Sequence, residues 1–173
     1  MPTQARYWDS CSFLGWLSEE PDKVDECRGV IRQAEAGNVL IVTSSLTLVE
    51  VIKLKGEKAL VEEYEPTIRE FFKHAWIIVR QLDRFIAEDA RQLVWQHGFD
   101  PKDSVHVATA LRGGVKRLDT FDDKLISRSG EVGDLVIGRP DLPEQLEFAT
   151  LEEVTDDFEE PEEHGPEAPQ FNT

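Results

Sequence analysis

Runs of aliphatic residues alternate along this chain with apolar stripes spaced three and four apart, and the alternation predicts its elements. Val39-Leu40-Ile41-Val42 and Trp76-Ile77-Ile78-Val79 are unbroken apolar runs, the pattern of strands buried on both faces. Arg6-Tyr7-Trp8, residues 115–120 and Leu135-Val136-Ile137 read as shorter strands. Helices fall between them. Asp9 or Ser10 can cap one that runs to Leu17, and Val24, Val30 and Ile31 stripe a second that ends at Gly37-Asn38. Thr43-Ser44-Ser45 caps a third over residues 46–54, and residues 57–63 and 66–73 are also helical in pattern. Phe85, Ile86, Leu93 and Val94 mark the clearest stripe, opened by Asp83 and closed at His97-Gly98. Asp100-Pro101 opens the next helix, because the N–H that proline lacks is unpaired at the first helical position anyway, and Gly113-Gly114 ends it. Residues 122–127 form a turn or short helix. Strands alternating with helices imply an α/β domain whose parallel sheet is covered on both faces.

A chain of 173 residues suffices for one domain with a real core and is short for two. We expect that domain over residues 1–140, an acidic extension over 141–158 and a disordered acidic tail over 159–173. The stretch Pro-Glu-Glu-His-Gly-Pro-Glu-Ala-Pro cannot bury enough apolar surface to stay ordered. The net charge of −16 belongs mostly to that end, which has twelve Asp and Glu and no Lys or Arg from Asp141 onward. The preceding 140 residues set 23 acids against all 19 bases. Such a body offers no broad basic field to steer a nucleic acid, and does not exclude one. The acidic end reads more simply as a solubilising terminus than as an anionic arm competing for a basic groove. No apolar run approaches the ~20 residues of a membrane span, so no membrane partner is expected. Met-Pro-Thr-Gln-Ala-Arg lacks the apolar core of a secretory signal. Cys11 and Cys27, without Cys-x-x-Cys spacing, fit reduced thiols, and the expected location is the cytoplasm.

Four acids stand out from their surroundings. Asp9 is the only charge between Arg6 and Glu19 and follows an aromatic strand, just where open parallel sheets bind ligands; it is equally well placed as an N-cap. Glu50 is the only charge from Val39 to Ile52 and shares a helical face with Leu46 and Val49. Burying it is costly unless a metal or a cation such as Lys53 compensates. Asp103 lies in the first turn of a helix whose cap Asp100-Pro101 already defines, although the helix dipole alone favours an acid there by ~0.3–1 kcal/mol. His106, one turn on, reads as a hydrogen-bonded core residue. Asp122 follows the strand ending at Thr120, where a turn acid is ordinary. At ~5 Å and an effective dielectric of ~20, two carboxylates repel by ~3 kcal/mol, so a cluster persists only by sharing protons or binding cations. Hard oxygen donors suit magnesium or manganese, which orient water and lower its pKa.

Four stretches, in order, resemble the PIN-domain family of nucleases. They are Tyr7-Trp8-Asp9-Ser10, Thr43-Ser44-Ser45-Leu46-Thr47-Leu48-Val49-Glu50, Asp103-Ser104-Val105-His106-Val107-Ala108-Thr109-Ala110-Leu111 and Thr120-Phe121-Asp122. The resemblance, over residues 5–140, implies a three-layer α/β/α sandwich around a central parallel sheet, with an acidic pocket for one or two Mg2+ or Mn2+ ions. It implies that Asp9, Glu50, Asp103 and Asp122 are the catalytic metal ligands, directly or through water, with Ser10 and Thr120 supporting them by hydrogen bonds. The implied reaction is hydrolysis of single-stranded RNA to 5′-phosphate products. Small stand-alone members are often VapC-like toxins, which implies a small antitoxin partner; the oligomeric state, a homodimer included, is left open by the sequence. Asp122-Asp123 leaves the fourth ligand open by one position, and Asp119 stands where the family usually has an aliphatic residue. The chain is also longer than a typical toxin of this kind.

Other acid-based or phosphate-binding enzymes fit poorly. A haloacid-dehalogenase-type phosphatase needs a second Asp two residues after Asp9, where Cys11 stands, and neither Gly-x-x-x-x-Gly-Lys nor Gly-x-Gly-x-x-Gly occurs. The remaining rival is a PIN-like protein that binds metal or RNA without significant turnover. Arg84, Arg91, Lys53, Lys116 and Arg117 are candidates for RNA contact, and surface ion pairing accounts for each equally well.

Overall fold

A computed structural model describes residues 4–52 and 62–141. Strands β1 (Gln4–Trp8), β2 (Val39–Ser44), β3 (Ile77–Arg80), β4 (Arg117–Asp119) and β5 (Val136–Gly138) form one sheet of order β3-β2-β1-β4-β5. Every pairing is parallel. The connections carry α1 (Ser10–Leu17), α2 (Val24–Glu35), α3 (Ser45–Glu50), α4 (Tyr64–Phe71), α5 (Arg84–His97), α6 (Pro101–Arg112) and α7 (Asp123–Ile126).

Neighbouring strand residues point to opposite faces, so each central strand feeds two cores. Tyr7 and Val42 join Ile86 and Leu93 of α5 and Val107 and Ala110 of α6 in one of them. Trp8 meets Phe13 of α1 edge to face at 5.3 Å on the other side, where α2 packs on α1 and β2 and buries Cys27, Val30 and Ile31. This is the expected α/β/α sandwich. Small residues along α6 (Ser104, Ala108 and Ala110, all buried) let it sit close to α5 and β2. Asp83 caps α5 by accepting from the Ile86 N–H at 2.9 Å, and Gly98 closes that helix at φ 67°, a left-handed turn that glycine adopts without penalty.

Three expectations need correction. The 76–79 run predicts a strand buried on both faces, but β3 is an edge strand and Ile78 is 39% exposed. An apolar run reports affinity for a sheet, not position within it. Asp100 occupies the N-cap position, yet its side chain makes no capping bond and instead meets the Lys124 ammonium at 3.0 Å. Helix α3 ends at Glu50, short of the expected residue 54. Lys53 and most of the 57–63 helix lie outside the described residues, as do the acidic extension and tail beyond Asp141. Among the described residues, no helix is long and apolar enough to cross a membrane.

Candidate functional site

The site forms where the central strands end. Register pairs Trp8 with Asp119, so the next residues of the two strands, Asp9 and Thr120, emerge side by side. Asp9 takes an extended backbone (φ −84°, ψ −179°) and caps α1, its Oδ1 accepting from the Ser12 N–H at 3.0 Å. Its Oδ2 accepts from the Thr120 hydroxyl at 2.5 Å. That hydroxyl oxygen in turn accepts the Asp122 N–H at 3.0 Å, so one buried threonine ties Asp9 to the loop carrying Asp122. Asp122 caps α7 with Oδ1, which accepts from the N–H groups of Lys124 and Leu125. Asp123 is exposed. Beneath the site, the Thr43 hydroxyl donates to the Trp8 carbonyl at 2.7 Å and shares a 2.8 Å hydrogen bond with the Thr47 hydroxyl.

Two more acids arrive on helices. Glu50, the last residue of α3, places Oε2 2.9 Å from His106 Nε2 and Oε1 3.3 Å from the Lys102 ammonium. His106 is 3% exposed, and its Nδ1 lies 2.8 Å from the Tyr7 hydroxyl. Asp103 sits half-buried in the first turn of α6, and its side chain forms no hydrogen bond among the described residues. Ser10 is half-buried at the start of α1 and makes no hydrogen bond to these acids among the described residues.

The carboxyl groups differ in electrostatic state. Burial pushes Asp9 above the usual carboxylate range, against the opposing pull of His106 and Thr120. Burial also raises Asp103, reinforced by the charges of Asp122 and Asp100. For Glu50, burial pushes upward, but the hydrogen bond and charge of His106, followed by Lys102, outweigh it and hold the group below its ordinary value. Burial, then the charge of Asp9, keeps the Tyr7 hydroxyl protonated far beyond its ordinary value. His106 thus touches or influences Glu50, Asp9 and Asp103 together.

Two features escaped the sequence pattern. The first is the engagement of Glu50 by His106 and Lys102, signalled only by His106 standing one helical turn after Asp103. The second is a buried ion cluster beneath the site. The Arg6 guanidinium grips both Asp119 oxygens at 2.7 and 2.6 Å, and Asp119 also accepts from Trp8 Nε1 and Arg117 Nε at 3.0 Å each. Arg117 is therefore engaged, as is Arg84, which pairs with Glu88 at 2.7 Å.

Among the described residues, no three His, Cys, Asp or Glu side chains form a group able to hold a metal ion. The acids named above offer oxygen donors only, and the charge on Asp103 is opposed by Asp122 and Asp100.

A family model described as PIN domain matches residues 6–131. Among solved structures, the chain resembles VapC20 of Mycobacterium tuberculosis, a sarcin–ricin-loop-cleaving toxin, with a TM-score of 0.58 at 13% identity, over 70% of this chain and 93% of that one. It also resembles PAE2754 of Pyrobaculum aerophilum, with a TM-score of 0.52 at 13% identity, over 78% of this chain and 89% of that one. At such identity the likeness is one of fold. No curated protein matches the sequence.

Proposed function

The chain belongs to the PIN domain family, and from that premise we propose that it is a Mg2+- or Mn2+-dependent endoribonuclease cleaving single-stranded RNA, the toxin of a type II toxin–antitoxin pair. One observation carries the reading: Asp103 is half-buried, caps nothing, and feels the charge of Asp122, while a single threonine joins Asp122 to Asp9. Carboxylates so placed repel one another, and an all-oxygen donor set fits a hard divalent cation. These acids do not form a closed metal group as they stand; a cation would have to draw Asp9, Asp103 and Asp122 together, with Glu50 contributing from α3 and Asp122, rather than the exposed Asp123, as the fourth ligand. Bound there, the ion would polarise a phosphodiester and supply a water of lowered pKa.

The protein's own groups prepare that chemistry. Thr120 fixes the spacing of Asp9 and Asp122, and the Ser12 N–H orients the Asp9 carboxylate. Burial of Asp9 keeps bulk water from competing for it. The likeness to a VapC toxin supports a small antitoxin as the protein partner. A second reading, metal or RNA binding without significant turnover, draws on the engagement of both Glu50 oxygens by His106 and Lys102.

Cleavage of single-stranded RNA by the wild type should require Mg2+ or Mn2+ and disappear in Asp9→Asn and Asp103→Asn. Intact RNA with the wild type, across both metals and several sequences, would sink the nuclease reading and leave the binding one.

A further inference from the structure

Glu50 is held from two sides by groups of different kinds. Lys102 is 72% exposed and meets Oε1 at 3.3 Å, a loose surface contact that a competing cation can displace. His106 is buried and meets Oε2 at 2.9 Å, and Tyr7 holds the far side of its ring at 2.8 Å. Tyr7 is fully buried, and its hydroxyl lies within hydrogen-bonding distance of Nδ1. That hydrogen bond fixes the ring, and because an ionised Glu50 can only accept, Nε2–H is the donor to it. The chain Tyr7–His106–Glu50 crosses from β1 to α6 to α3 and fixes a carboxylate at the end of a six-residue helix, where a long side chain would otherwise sample several rotamers.

We infer that His106, oriented by Tyr7, is a positioning residue that commits Glu50 Oε2 to the protein and leaves Oε1 as the oxygen presented to a cation. The inference rests on the metal-dependent reading of this site. Groups that orient metal ligands are worth about 10–100-fold in affinity or activity when removed.

Two amide substitutions separate this role from simple packing. In His106→Gln the terminal amide can take the place of Nε2 and still donate to Glu50, whereas in His106→Asn it reaches only the Nδ1 position and leaves Glu50 unheld. Mn2+ affinity by titration calorimetry, cleavage of single-stranded RNA and thermal melting are measured for both and for Tyr7→Phe. His106→Asn should weaken Mn2+ binding and lower kcat about tenfold or more, with KM for RNA unchanged. His106→Gln should stay within about threefold of wild type and Tyr7→Phe fall between them. Equal Mn2+ affinity and kcat in the Asn and Gln variants would overturn the positioning role while a cleaving wild type left the nuclease reading intact. If His106→Asn does not fold, Tyr7→Phe decides alone, and wild-type Mn2+ affinity in it would overturn the role. A wild type that neither binds Mn2+ nor cleaves overturns both.

Discussion

A single hydroxyl does two jobs at this site. Thr120 Oγ1 donates to Asp9 and accepts from the Asp122 backbone, so it sets the distance between two acids carried on different strand ends. Thr120→Val keeps the shape and removes both interactions. A buried carboxylate oxygen and a backbone N–H are then left without partners, at a cost of about 1–3 kcal/mol. The variant should melt lower and lose about 10–100-fold in metal-dependent cleavage, because Asp9 and Asp122 are no longer tied together. Activity equal to wild type would mean the acids are positioned by something other than this threonine. Of the two readings its sequence position offers, Asp9 shows the N-cap. It caps α1 through Oδ1 and turns Oδ2 toward Thr120, so capping does not exclude the proposed site role.

At the scale of elements, the short join between β1 and β4 needs help. Their register holds only Tyr7 with Leu118 and Trp8 with Asp119, and the Arg6–Asp119 pair staples the same two strands. Asp119→Ala leaves the fully buried Arg6 with only the exposed Asp141 as an acidic partner, and breaking a buried pair in this way costs about 3–5 kcal/mol. Urea denaturation should show that loss, and Arg6→Met combined with Asp119→Leu should recover much of it, since apolar groups of similar volume tolerate the same space. A loss below about 1 kcal/mol for the single variant would show that the staple contributes little. The staple also marks the limit of what the sequence discloses. The alternation of runs and stripes discloses the α/β class, and Asp83, Gly98 and Pro101 each mark a helix end by local backbone chemistry. Strand order is not local. Arg6 and Asp119 are 113 residues apart and meet only because β4 lies beside β1; Glu50 and His106, 56 apart, meet only because α6 packs over β2. The four acids could be singled out as charges in apolar company, but their partners could not. The edge position of β3 was hidden for the same reason.

For the molecule as a whole, charge poses the question. A net −16 protein must hold a polyanion in the proposed reaction, and its visible cations are largely spoken for: Arg84 by Glu88, Lys116 by Asp134, Arg117 by Asp119, and Arg139 by Glu26. Binding then depends on a few local contacts and the divalent ion rather than on a steering field. That predicts a shallow salt dependence, since each neutralised phosphate on a single strand contributes a slope of about −0.7 in log affinity against log salt. The acidic end of the sequence adds a separate test. At physiological ionic strength, exposed charges are screened beyond about 8 Å, so tail acids weaken RNA binding only if they reach the groove itself. Deleting residues after Asp157 removes five acids and should leave RNA affinity at 0.15 M salt within about twofold of the full chain, with lower solubility as its main effect. A gain of tenfold or more would instead mean that the tail competes for the site, because screening leaves no other route for so large an effect.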